Sequence, residues 1–187
     1  MFDFLKPKAK MTPEKLGEGL ALAFGELFLP KMQKYVLEFR GFPEMTNPRI
    51  DKLFDLYLIY WSTQISLEIE YSGIVSDQSQ RVLDYFWNYI PKILEEGFSA
   101  NKVYAEKVSL EFKENTSSLY PQVRNLIISP SDSDTVFTTK FLALGMPDFD
   151  ITNENYDLIL KLAGDLVAIQ AGTEEFIAKT LKKTTLT

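Results

Sequence analysis

Apolar residues recur along this chain at every third or fourth position, in blocks separated by proline, glycine and short polar runs. Thr12-Pro13-Glu14 opens the first block as a helix start. The hydroxyl can cap, proline suits the first helical position, and the acid sits near the positive dipole end. Leu16, Leu20, Phe24, Leu27 and Phe28 then follow helical spacing. Pro30 is expected to kink or break this helix, because it removes one hydrogen bond and crowds the preceding turn. A second piece carries Tyr35, Val36 and Phe39 and stops at Gly41, with Pro43 beyond.

Asn47-Pro48 repeats the entry signal. Ile50, Leu53, Phe54, Tyr57, Leu58, Trp61 and Ile65 follow one face, and Leu56, Ile59 and Tyr60 make the opposite face apolar too. A helix apolar all round is expected to be buried on most sides, so this is the predicted central helix, closing near Gly73. Ser76-Asp77 starts another, with the stripe Val82, Leu83, Phe86, Trp87, Ile90 and Leu94, interrupted at Pro91 and ended at Gly97.

Residues 103–128 read two ways. Val108-Ser109-Leu110-Glu111-Phe112-Lys113 alternates as a half-buried strand does, and Asn115-Thr116-Ser117-Ser118 suits a turn. Helical spacing through Val108, Leu119, Val123, Leu126 and Ile127 also fits. Further on, Phe137, Phe141 and Leu144 predict a short helix stopped by Gly145 and Pro147. Thr152 is the expected cap of a stronger one, with Ile151 and Tyr156 as its hydrophobic staple. Gly172-Thr173-Glu174-Glu175 is read as the start of a last helix, whose Lys179, Lys182 and Lys183 suit its C-terminal end. The pattern as a whole predicts an all-α helical bundle of about six to seven helices. The alternative is α+β, with a short β-hairpin or meander within 103–141. Residues 1–11 are expected to form a loose N-terminal segment, and 12–187 a single mainly helical domain, a size one hydrophobic core can support.

Composition narrows the chemistry. The chain has neither Cys nor His, which removes disulfides, thiolate metal sites, Ser-His-Asp and Cys-His catalysis, and His-containing zinc sites. Any catalysis would fall to carboxylates, Lys, Tyr or Ser/Thr. The net charge of −6 argues against a nucleic-acid partner. The apolar window 16–29 is too short for a membrane span and is interrupted by Glu18 and Glu26, so integral membrane association is not expected and a cytoplasmic location is the default. Dispersed glycines give no phosphate-binding loop, and no cofactor is indicated.

Two chemical patterns compete with plain structural readings. Ser99 and Lys102 have the Ser-x-x-Lys spacing of penicillin-recognising Ser hydrolases, with Ser131-Asp132-Ser133 and Lys183-Thr184-Thr185 following in order. Neither later motif is complete, and Ser99 sits where a helix cap belongs, so no catalytic residue is assigned. Carboxylate pairs occur at Asp51 and Asp55, Glu68 and Glu70, and Glu111 and Glu114. Without evidence of burial they read as solvated faces, and no metal site is assigned.

The remaining candidates are aromatic. Tyr57, Tyr60 and Trp61 lie on one predicted helix, and Tyr85, Phe86, Trp87 and Tyr89 on the next. Rings that combine apolar area with a polar tip favour interfaces and pocket walls, and core packing is their structural alternative. The leading expectation is a non-enzymatic protein–protein interaction or assembly module, a homodimer in contact through these rings. Second comes a helical pocket for an apolar small molecule, walled by Trp61, Trp87, Phe86 and Tyr57. Third is a His-free carboxylate- or Lys-based enzyme.

Overall fold

Residues 56–67 are buried without a break, and the architecture follows from covering them. The computed structural model describes residues 9–97, 102–129, 133–149 and 155–187. Its elements are β1 (Ala9–Met11), α1 (Pro13–Ala23), a π-helical turn (Phe24–Phe28), α2 (Leu29–Glu38), a 3₁₀ turn (Phe39–Gly41), α3 (Asn47–Tyr71), α4 (Ser76–Gly97), α5 (Lys102–Ile128), α6 (Asp134–Gly145), α7 (Tyr156–Lys182) and β2 (Thr184–Leu186). This is an all-α bundle with one small β element. Helix α3 is the hub, packed against α2, α4, α5, α6 and α7. Two of its buried polar side chains are absorbed locally: Thr63 Oγ1 donates to the Ile59 carbonyl at 2.6 Å and Ser66 Oγ to that of Ser62 at 3.0 Å. The helix ends where Gly73, at φ +77°, takes the left-handed conformation that glycine adopts without cost.

The entry signals work as expected at α1, where Thr12 Oγ1 accepts from the Lys15 N–H at 3.4 Å and Pro13 stands in the first turn. Pro30 does not break the helix. It has no N–H to give the Glu26 carbonyl, and its ring crowds that carbonyl. The preceding turn therefore widens to π geometry, with the Leu29 N–H reaching back to the Phe24 carbonyl, and α2 continues beyond. Pro91 and Pro121 likewise lie inside α4 and α5.

Helix α5 decides the ambiguous region against strands. Val108, Phe112 and Val123 face inward while Leu110 is 58% exposed, so the helical spacing is the one that matters. The alternating stretch is part of α5, which packs on α3 and α4. No hairpin lies among the described residues of 103–141. Gly172 does not start a helix, because α7 runs straight through it. Thr152 and Ile151 lie outside the described residues. The only strands among those described are β1 and β2, paired in parallel with Ala9 opposite Thr184 and Met11 opposite Leu186, so the last three residues of the expected loose segment are tied down.

Glycine sets the closest helix contact. A Cβ on Gly17 would strike the Val82 carbonyl oxygen and lie 2.8 Å from the Tyr85 Cβ, and one on Gly25 would strike Ile93 Cγ2. Gly19, on the same helix, has open space. Gly17→Ala should therefore lower unfolding stability by about 1–3 kcal/mol as α1 is pushed off α4. Gly19→Ala should raise it by up to about 1 kcal/mol through helix propensity. Chemical denaturation of both variants checks the contrast, and equal effects would contradict this packing.

Candidate functional site

The seven aromatic candidates divide by burial. Tyr57, Tyr60, Trp61 and Phe86 lie in the core, Trp87 and Tyr89 are half-buried, and Tyr85 is 43% exposed. Phe86 packs edge-on against Phe24 and Trp87, and Trp87 stacks on Phe112 at 5.9 Å and meets Tyr120 at 5.1 Å. The Lys92 ammonium lies over the Tyr89 ring at 4.6 Å. A hydrogen bond to Glu18 raises the Tyr89 pKa above its ordinary value.

The two inward phenols anchor α7. Tyr57 Oη donates to Asp165 Oδ2 at 3.0 Å. Lys161 Nζ donates to the same oxygen at 3.2 Å and to Glu38 Oε2 at 2.8 Å, above the Phe39 ring at 4.9 Å. Burial, followed by the Asp165 charge, pushes Tyr57 well above the usual phenol range. Burial raises Asp165 as well, against the pull of Lys161. Tyr60 Oη donates to the Leu166 carbonyl at 3.3 Å and accepts from Gln64 Nε2 at 3.0 Å, and burial pushes its pKa up to about 12.

Trp61 is different. Its indole N–H is buried and has no hydrogen-bond partner among the described residues. Leaving such a donor unpaired costs about 1–3 kcal/mol. Ser62 Oγ and Glu44 Oε2 share that condition but line no cleft described here, whereas Trp61 forms part of one of about 290 Å³. Leu27, Phe28, Lys31 and Tyr35 come from the π-turn and α2, and Ala168, Ile169, Gly172, Glu175, Phe176 and Lys179 from α7. Phe28, the last residue of the π-turn, packs on Trp61 at 4.6 Å between ring centres and meets Phe176 edge-on at 5.2 Å. The cleft stays open because α7 presents Ala168 and Gly172 there, and a Cβ on Gly172 would meet nothing within 4 Å. π-Turns recur at functional sites because the widened backbone re-aims the side chains around it.

Tyr57, Phe86 and Trp87, expected to share a pocket with Trp61, do not line this cleft. Of the rings that do, Phe28 and Tyr35 read in the sequence as ordinary stripe positions, and Phe176 is not among the sequence candidates. The available signals were Pro30 just after Phe28, and two small residues facing one way on α7.

The carboxylate pairs part company. Asp51, Asp55 and Glu111 line a second cleft of about 250 Å³ together with Arg40 and Lys107, and Lys107 pairs with Glu111 at 3.6 Å. Glu70 binds Arg124 at 2.8 Å. Among the described residues no group of three or more His, Cys, Asp or Glu could hold a metal ion, and no helix is long and apolar enough to cross a membrane. Ser99 lies outside the described residues, and Lys102 pairs with Glu106 at 3.7 Å. Comparison with family models, curated proteins and solved structures gives no match to this chain.

The buried phenols have a pH consequence. Tyr57 and Tyr60 hold their protons more firmly when folded than the ordinary value of 10.0. Their contribution to stability is complete below that pH and is lost as pH rises through the folded values. Denaturation curves across this alkaline range should show stability falling, and Tyr57→Phe or Tyr60→Phe should each make the fall shallower. An unchanged slope in both variants would contradict the assignment.

Proposed function

We propose that this chain is a binding protein for a small apolar molecule, held in the cleft between the π-turn and α7. The observation that carries this reading is the unpaired, buried N–H of Trp61 in the wall of an aromatic-lined cleft. Small-molecule sites combine apolar walls with a few placed polar groups, and this cleft has both. The indole nitrogen is closed to solvent, so an acceptor reaches it once side chains packed around Trp61, Phe28 among them, give way to a ligand. A flat ring entering there exchanges one aromatic contact for another, and an acceptor carried on that ring gives the N–H a partner.

Calorimetric titration with indole tests this reading. Indole should bind the native chain and raise its unfolding midpoint, by an amount equivalent to about 2.7 kcal/mol at a hundredfold excess over Kd. Gly172→Leu and Ala168→Leu, which place a side chain in the cleft, should abolish binding while preserving the fold. Equal binding by the filled variants would refute this site.

A second reading, self-association, has one specific support. Tyr156, Leu160 and Val167 are each about half-exposed along one side of α7, an outward apolar row of the kind that marks contacts between chains. Sedimentation should then show a dimer that Leu160→Lys dissociates. A native chain that sediments as a monomer at all concentrations would dispose of it.

A further inference from the structure

We infer that the molecule held in this cleft is a small aromatic acid: a flat one- or two-ring body with a carboxylate at the cleft mouth. The inference rests on the binding reading above and specifies its ligand.

The walls alone do not choose between classes. The rings of Trp61, Phe28, Phe176 and Tyr35 would suit a flat aromatic body, and they would equally suit an organic cation held against their electron-rich faces. The polar groups break the tie, and both point the same way. At the mouth stand Lys31, Glu175 and Lys179. Glu175 is matched by Lys179 one helical turn on, whose ammonium donates to it. Lys31, exposed on α2, has no carboxylate partner among the described residues. The mouth therefore carries one uncompensated positive charge, which repels a cation and attracts an anion.

Inside, the buried polar atom of the wall that lacks a partner among the described residues is a donor, the Trp61 N–H. It gains from an acceptor on the ligand and gains nothing from another donor. A ligand rich in acceptors and negative at its outer end answers both groups. A cleft of about 290 Å³ lies at the lower edge of the range of ligand pockets, roughly 300–1,000 Å³, which limits the body to one or two rings.

The selectivity has to be local. The whole chain carries a net charge of −6, so its long-range field repels an anion and the preference depends on Lys31. Removing that single charge should erase the preference without closing the cleft.

The test compares three probes with the same ring: indole-3-acetate, indole and tryptamine, titrated by calorimetry into the native chain, Lys31→Gln and Gly172→Leu. The native chain should bind indole-3-acetate most tightly, roughly two- to thirtyfold above tryptamine, as expected when attraction to one exposed charge is exchanged for repulsion. Lys31→Gln should bring the three probes together while retaining indole. Gly172→Leu should bind none of them, with an unfolding midpoint no lower than native. Indole and tryptamine binding as well as the acid would overturn the ligand class and leave the cleft standing. Preference for the acid surviving in Lys31→Gln would overturn the role of Lys31. No binding of any probe would remove the binding reading itself, and with it this inference.

Discussion

A helix with no polar face has to be wrapped, and the rest of this structure answers that requirement. Residues 56–67 of α3 are out of water on every side, so five helices must close around them. Most polar side chains in that stretch bond within reach, Ser62 being the exception. Thr63 and Ser66 bond to carbonyls one turn back, and Gln64 to the Tyr60 phenol. Tyr57 and Tyr60 then send their hydroxyls outward to α7. Hydrogen bonds thus set the register between the hub and α7, while apolar packing supplies the bulk of the attraction.

Against that background an unpaired group stands out. Most polar atoms around α3 are satisfied, in some places by two partners, and the Trp61 N–H is not. On one side of its cleft the backbone is widened at the turn before Pro30, and on the other α7 includes the small residues Ala168 and Gly172. The same local events leave a donor unanswered and leave room beside it. An imperfection in packing coincides there with an unmet hydrogen bond.

The helices were legible in the sequence wherever spacing and punctuation agreed. Thr12-Pro13, Asn47-Pro48 and Gly73 mark real boundaries, and the apolar circumference of α3 announced its central place. Reading failed where punctuation was overridden by packing. Pro30 and Pro91 are housed within helical runs, Pro30 by way of a π-turn, and Gly172 is passed over, since the loss of one local bond is small beside a whole helical face of contacts. Alternation at 108–113 imitated a strand because Leu110, an exposed leucine, falls between two buried positions. The cleft was half legible. Trp61 was singled out as an aromatic on the hub, but its companions Phe28 and Phe176 lie far from it in sequence, and only the fold brings them together. Size and direction, not residue type, distinguish a ring in a wall from a ring in a core, and neither is written in a one-dimensional pattern.

The parallel pairing of β1 with β2 carries a mechanical consequence. Joining Ala9 to Thr184 closes a loop that contains all the helices, so its entropic cost is met only after the bundle has assembled. Because the two strands run the same way, tension on the chain ahead of Ala9 and behind Leu186 slides one strand lengthwise along the other. The bonds from the Ala9 N–H to the Lys183 carbonyl and from the Thr187 N–H to the Met11 carbonyl then resist together and not in succession. A ladder this short becomes a shear-loaded latch, stiffer when stretched end to end than when peeled open from one side.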